Sequence, residues 1–581
     1  MAVQWTAYID AETLRGELAE ENNLIKAVEL MQSCQIRRVV LEGFRFGAVV
    51  AEEWLHAVRD FFERQGFATL GGIMPLHGES FGKRAVGVET RQPVFCYSDR
   101  DTVDALEQEV RKLARLFGQV VIDDGFFTSC RCPECAHACI DGDWGAMRRR
   151  LLSDVASRWV RAAHEENRHV RLTVKFPQYY DRYHRFGYDV VRFPKIFDAV
   201  WQGSETRDPD TLDYGYVEQY QGYFNLRWMQ LCAGAKCESG WFDFLDCDGQ
   251  LFFDQAVTTS LGAPDAVTIY RYDKTLFNGS RMGRLVKNID GLEALRTAAV
   301  KPQGVHVIKP PNADGGRDLF IFDYLGMLGI PCVPATEIST SMRSIIVTAH
   351  SISDRNVVDA IPRALMAGRH VILTFDALRR LADRPEILEF MGYRPSDLAP
   401  AGAAVRQFHL DGMTFSCEET FRVPGDLAPS DAAVLAWAEL DASPEFPARV
   451  PMVTAKSYAS GGRAIVWNLG TFGDSDFDIR EQLNVPVRSD LFNIPKRVID
   501  FLRQTATGPH RFTIQAPARV ATFLFDEHIA FANYGAVPAE VEVSGLAWES
   551  ESLKTDSPKT VCSGSTLFLA TRSYGLLELK R

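Results

Sequence analysis

QVVIDDGFFTSCRCPECAHAC, residues Gln119 to Cys139, is the stretch whose reading decides the fold. Val120, Val121 and Ile122 make a short apolar run, the pattern of a strand buried on both faces. The run delivers two adjacent carboxylates, Asp123 and Asp124. A knot of thiols follows at Cys130, Cys132, Cys135 and Cys139. Barrel enzymes place their chemistry at the ends of buried parallel strands. Neighbouring residues on a strand point to opposite sides, so the two acids are expected to divide into one working group and one supporting group, unless the strand stops before Asp123.

The alternation extends outward from this strand in both directions. Upstream, a helical stretch at Glu12–Ser33 leads to a strand at Arg38–Phe44, and an amphipathic helix at Glu52–Gln65 leads to a strand at Ala68–Pro75. A third strand fits Pro93–Tyr97, and a helix at Thr102–Phe117 precedes the opening strand. Downstream, a helix at Trp144–Asn167 is followed by strands at Val170–Phe176, Phe197–Gln202, Gly234–Ser239 and Ala266–Tyr272, with helices at Tyr216–Leu231 and Phe252–Leu261 between them. Eight strands separated by helices predict an α/β fold, a (β/α)8 TIM barrel over residues 1–300. From Gly304 the pattern predicts a flavodoxin-like α/β domain over 301–507. No glycine-rich phosphate fingerprint follows its first strand, so no nucleotide site is expected there. Residues 508–581 are strand-rich with turn residues between, which predicts a small C-terminal β-sandwich.

Composition narrows the function. The chain has 581 residues, 46% of them hydrophobic, and a formal net charge of −12. Phosphate binding needs a basic surface, so a general nucleic-acid binder is not expected. The N-terminal MAVQWTAYIDAETLRGELAE lacks the basic start and apolar core of a secretory signal, and no apolar run of 18 residues suggests a membrane span. The twelve cysteines are therefore expected to be mostly reduced, in a cytoplasmic protein.

The chemistry is sought among acids at strand ends. In this assignment Asp123 and Asp124 close the fourth strand and Glu238, in AKCESGW, closes the seventh. Two carboxyl groups facing each other across a barrel mouth are the minimum equipment for glycosidic cleavage: one protonates the leaving oxygen, the other attacks the anomeric carbon or activates water. A lone acid at a strand end more often caps a helix or pairs with an arginine, so it is the pair that carries weight. Glu205 could replace Glu238, and a misplaced strand end would promote Asp243, Asp246 or Asp248. Glu42, Arg45, Lys175, Glu205, Trp241 and Tyr272 are candidate substrate contacts, each set against a rim ion pair or ordinary core packing. Trp201 and Tyr179 are further places where a sugar ring could stack. Cys96, Cys130, Cys132 and Cys135 suit tetrahedral zinc in a closed, structural site, with Cys139 or His137 able to replace one of them. No organic cofactor is indicated.

These residues resemble the glycoside hydrolase family 42 β-galactosidases and the related family 164. VFCYSD at Val94–Asp99, with Arg91 just upstream, looks like the cysteine segment after the third strand. IDDG at Ile122–Gly125 falls where family 42 has Asn-Glu. CRCPEC looks like its zinc loop, CESGW like its nucleophile segment, and AVTIYRYD like its eighth strand. The resemblance implies a retaining hydrolase of terminal β-linked sugars, β-galactosidase- or β-mannosidase-like, acting on an oligosaccharide or glycoside. It further implies Asp124 as general acid and base, Glu238 as nucleophile, a structural zinc, and a homotrimer assembled through the middle domain. The departure is Asp123-Asp124 in place of Asn-Glu, with an acid one methylene shorter. That departure supports the alternative of an inactive sugar-binding or assembly protein on the same scaffold.

Overall fold

The computed structural model describes residues 3–87, 93–208, 217–400, 402–441, 448–477 and 489–580. They form two compact units, the first made mainly of Met1–Val217 and Asn225–Arg296 and the second mainly of Thr297–Phe477 and Val487–Arg581. Arg91 lies outside the described residues.

The first unit is an eight-stranded parallel barrel. Its strands are β1 (Gln4–Ile9), β2 (Arg38–Arg45), β3 (Ala68–Met74), β4 (Gln119–Ile122), β5 (Arg171–Phe176), β6 (Ala199–Gly203), β7 (Cys237–Asp243) and β8 (Ala266–Tyr270). β1 pairs in parallel with both β2 and β8, which closes the ring. Closure leaves no unpaired edge, and the apolar strand faces are buried on both sides.

Two strands differ from expectation. Pro93–Tyr97 is not in the barrel. It lies in the connection after β3 and makes only isolated bridges, Leu76 with Val94 and Arg84 with Phe95. Pro93 has no N–H for a ladder, and the N–H groups of His77, Ala85 and Cys96 close this loop on itself through the carbonyls of Pro93, Val94 and Lys83. The missing member is QWTAYI at the N-terminus, whose residues from Trp5 to Ile9 are all buried. The total of eight holds because one strand replaces another. β7 also starts and ends later than the Gly234–Ser239 segment, and the expected Glu12–Ser33 helix is broken by Gly16 into Ala11–Arg15 and Glu21–Ser33.

The barrel interior is filled, not open. Tyr8, Val40, Leu70, Val121, Trp201 and Trp241 form one buried cluster with Tyr270 packed against it. The strands thus contribute large rings from β1, β6, β7 and β8 opposite smaller aliphatic groups from β2 to β4, the interdigitation a closed barrel needs. Several acids serve only as helix caps: Asp99, Asp143 and Asp248 each accept a backbone N–H in the first turn of the following helix.

In the second unit, parallel strands Val305–Ile308, Cys332–Ala335, Ser344–Val347, His370–Thr374 and Arg463–Trp467 stand in the spatial order 2-1-3-4-5. That is the flavodoxin order. Four antiparallel strands extend the same sheet, at Val405–Leu410, Met413–Ser416, Ala433–Leu440 and Arg449–Ser457; nothing in the sequence pattern anticipated them. Beyond the helix Lys496–Thr507, a four-stranded antiparallel sheet and a five-stranded one, whose edge strand Pro302–Gln303 comes from before the α/β sheet, share a core that includes Ile514, Phe531, Val541 and Leu567. This is the expected β-sandwich.

Candidate active site

β4 ends at Ile122, one residue short of the acids. The Asp124 N–H donates to Asp123 Oδ1 at 2.8 Å, a turn that frees both side chains from strand alternation. Both acids line a cavity of about 300 Å3 at the carboxyl-terminal mouth of the barrel, together with Arg45, Lys175, Glu205, Trp241 and Asp243. The volume suits one sugar ring and a small substituent.

Lys175 is the hub. It projects from β5, and its Nζ donates to Asp124 Oδ2 at 2.5 Å and to Glu205 Oε1 at 2.7 Å. It lies 3.8 Å from Asp123 Oδ1 and 4.7 Å from the centre of the Trp241 ring. Two carboxylate oxygens that touch one nitrogen can be no farther apart than about 5 Å. Burial alone would discharge the ammonium, but the three carboxylates around it push its pKa up and hold it charged. Glu205 follows β6, and a Cβ on Gly203 would collide with its Oε2, so glycine there makes room for the carboxylate. That oxygen has no hydrogen-bond partner among the described residues. Burial raises the pKa of Glu205, with Lys175 opposing the rise.

Asp243 ends β7 and is gripped by Arg207, Nη1 to Oδ1 at 2.6 Å and Nη2 to Oδ2 at 2.9 Å, with Leu245 N–H also donating to Oδ1. A bidentate guanidinium holds both oxygens in a fixed plane. Among Asp123, Asp124, Glu205 and Asp243, Asp124 has the most open side chain, 23% exposed, against 3% for Asp123, 2% for Glu205 and 4% for Asp243; a fifth acid of the lining, Glu12, is exposed at its edge.

Glu42 and Arg45 form a support behind Asp123. Tyr8 Oη donates to Glu42 Oε1 at 2.6 Å, Ala11 N–H to Oε2 at 2.7 Å, and Arg45 forks onto both oxygens at 2.8 and 2.9 Å. Arg45 Nη2 also reaches Asp123 Oδ2 at 3.4 Å. Glu42 therefore stands behind Arg45 and does not line the cavity, whereas Arg45 does. Burial, and then the negative charge of Asp124, raise the Asp123 pKa to about 7. The native state then holds this proton where an unfolded aspartate, near 3.9, has lost it. Folding stability from this group is full at low pH and is lost as pH rises through about 7. Asp123→Asn, neutral at every pH, is expected to gain thermal stability on wild type between about pH 4 and pH 7 and to hold that gain above it, by roughly 1.4 kcal/mol for each unit the native pKa is displaced. A stability difference flat across that range would refute it.

Not every expected residue comes to the mouth. Glu238 is the second residue of β7, not its last, and sits at the amino-terminal end of the barrel in an ion pair with Arg171, the first residue of β5. Arg38, which starts β2, feels the same charge. A carboxylate at that end cannot act with Asp124, so its placement as the seventh-strand acid is corrected to Asp243. Tyr272 is buried against Phe277 and lines no part of the cavity; Tyr270, two residues earlier, does. Trp201 lies within the barrel core, 6.3 Å from Trp241. Residues not anticipated from sequence include Tyr8, on the overlooked first strand, and Arg207, whose only signal was its place two residues after Glu205.

The thiols meet as a separate cluster. Cys96, Cys130, Cys132 and Cys135 are buried, with all four sulfurs within 4.8 Å of one another, and Cys96 Sγ lies 3.6 Å from Cys132 Sγ and 3.8 Å from Cys135 Sγ. A tetrahedron of zinc–sulfur bonds of about 2.3 Å has edges of about 3.8 Å, so this donor set fits the metal. Val86 N–H points at Cys130 Sγ at 3.4 Å and Ser98 Oγ lies 3.1 Å from Cys135 Sγ, the kind of surrounding hydrogen bonding that orients thiolate ligands. Cys139 packs beside the four without joining them, and His137 is exposed.

Comparison with known proteins agrees with the barrel fold. Residues 2–290 match the family described as "Probable glycosyl hydrolase, catalytic domain", and 301–423 match the second domain of the uncharacterized protein SSO3021. That protein, from Saccharolobus solfataricus, is 21% identical over 446 residues, covering 70% of this chain and 72% of the relative. The solved structure of a GH42 β-galactosidase from G. stearothermophilus superposes with a TM-score of 0.63 at 12% identity, over 100% of this chain and 98% of that one. The chain has the fold of the family 42 β-galactosidases. An exo-β-1,4-mannosidase from Opitutaceae bacterium strain TAV5 superposes with a TM-score of 0.52 at 11% identity, over 88% and 96%. At these identities the structural likeness speaks for the fold, and the family match speaks for a glycosyl hydrolase barrel. No helix among the described residues is long and apolar enough to cross a membrane.

Proposed function

We propose that the protein is a retaining glycoside hydrolase that releases a terminal β-linked sugar, with Asp124 as acid and base and Glu205 as nucleophile. The observation that carries this is the shared ammonium. Lys175 holds the two carboxylates within about 5 Å, and retaining pairs stand about 5–5.5 Å apart, whereas inverting pairs need room for a water. Asp124 faces the open side of the cavity, where it can deliver a proton to the leaving oxygen. Glu205 lies deeper, where an attacking oxygen would meet the anomeric carbon. In the second step Asp124 takes a proton from a water whose oxygen bonds to the anomeric carbon as that carbon's bond to Glu205 breaks, which frees the sugar and returns Glu205 as a carboxylate. Lys175 stabilises Asp124 in the half of the cycle in which its carboxylate is ionised and can act as the base. Asp243 is the weaker candidate for nucleophile because Arg207 occupies both of its oxygens.

The thiol cluster is proposed as a structural zinc site. Four thiolates leave no vacancy for water, so it would brace the loop that carries Asp124 and take no part in the chemistry. The resemblance further implies a homotrimer. A panel of aryl β-glycosides (galactoside, mannoside, glucoside, fucoside and arabinoside) tests the hydrolase. Turnover of at least one, with retained configuration, is expected; binding without turnover of any would favour the inactive sugar-binding alternative.

A further inference from the structure

The cavity is divided in its chemistry. Its far half, from β5 to β8, is charged and hydrogen-bonding, with Lys175, Glu205, Arg207 and Asp243 within reach of sugar hydroxyls. The half contributed by β2 to β4 is different. Apart from Arg45, the two aspartates and the exposed Glu12 that borders it from beyond the end of β1, its lining is Phe46, Met74, Leu76 and Phe127, none of which can hydrogen-bond through its side chain as a donor. This wall is built into the turn that carries Asp124: Gly125 N–H donates to Met74 Sδ at 3.2 Å, and Phe127 stacks 6.3 Å from Tyr188, whose hydroxyl donates to the Asp124 carbonyl. Arg45 is the one cation of this half, and its guanidinium is shared between Glu42 and Asp123. Phe46, 36% exposed and held at φ 49°, stands at the outer edge of the wall.

Resting on the assignment of Asp124 as the acid, we propose that this site takes β-glycosides with an apolar leaving group, aryl or alkyl, in preference to a second sugar. The acid must lie beside the oxygen it protonates, so the leaving group is placed against the apolar wall and the glycon against the charged half. A sugar on that wall would give up water around its hydroxyls and find no partner in Phe46, Met74, Leu76 or Phe127, a loss for each hydroxyl buried against them. An aryl or alkyl group would displace water from apolar surface and gain instead.

The test compares 2-phenylethyl, methyl and β-1,4-linked disaccharide substrates of one glycon, as galactosides and as mannosides, on the full-length protein. All three leaving groups are alcohols, so differences in kcat/KM report binding of the leaving group more than its acidity. The phenylethyl glycoside is expected to exceed both others by at least about tenfold, and Phe46→Ser is expected to shrink its lead over the methyl glycoside by about fivefold. A disaccharide turned over as well as the phenylethyl glycoside, or a lead unchanged in Phe46→Ser, would overturn the inference and leave the hydrolase standing. Failure to turn over any of these or any aryl glycoside would overturn both.

Discussion

Glu205→Gln is expected to lose about a thousandfold or more in kcat on every substrate, activated or not, because no other carboxylate can take over formation of the glycosyl-enzyme. Asp124→Asn should behave differently. With an ordinary alcohol as leaving group it should lose about 10²–10⁴-fold, the usual worth of a positioned acid. With dinitrophenolate, which departs without a proton, bond cleavage should be nearly spared and the second step should become limiting. The two variants are therefore told apart by leaving-group dependence and not by the size of the loss. Glu238→Ala serves as the contrast: its carboxylate pairs with Arg171 at the other end of the barrel, and its kcat should stay near wild type. A thousandfold loss in Glu238→Ala with an intact fold would return the nucleophile to that position. The wild-type kcat/KM should also fall on the acid side above the ordinary glutamate range near 4.3, since burial raises the Glu205 pKa and a protonated Glu205 cannot attack.

The second large effect concerns the thiols. Purified protein, never exposed to chelators, is expected to carry one zinc per chain, and Cys130→Ser to carry almost none. Loss of the metal leaves three buried thiols without their common partner and unties the loop after β4 from Cys96. Destabilisation on the order of 3 kcal/mol or more follows, which for a unit this size lowers Tm by about 5 °C or more. Less than about half a zinc per chain in wild type, or a Cys130→Ser variant as stable as wild type, would remove the metal from the account.

Much of the fold was legible because long periodic elements carry their own signal. The helices at Arg100–Leu116 and Trp144–Glu166 and the runs of β4 to β6 were visible from spacing alone. The exceptions have identifiable causes. QWTAYI is six residues long, and its burial depends on β2 and β8 closing around it, which no local pattern reveals. Pro93–Tyr97 has strand-like composition, but its hydrogen bonds close a loop.

The site was legible in type more than in position. Asp123, Asp124, Lys175, Arg45, Glu205 and Trp241 do meet at one mouth. Glu238 does not, because Ser239-Gly240 resembles a strand terminus. Gly240 is instead an interior residue of β7, where a Cβ would collide with the Thr259 methyl. The glycine admits close packing of neighbouring side chains and the strand runs on to Asp243. A four-residue error in one strand end thus moved the nominal partner of Asp124 from one end of the barrel to the other.

The central claim is a covalent step on Glu205 opposite Asp124. It is tested most directly by incubating the protein with the 2-deoxy-2-fluoro glycosyl fluoride of whichever glycon it accepts and locating the label by peptide mass spectrometry. A single stable adduct on the peptide containing Glu205, absent in Glu205→Gln, is the predicted result. A label on Asp243, Asp124 or Glu238, or turnover of substrate with no adduct at all, would contradict it.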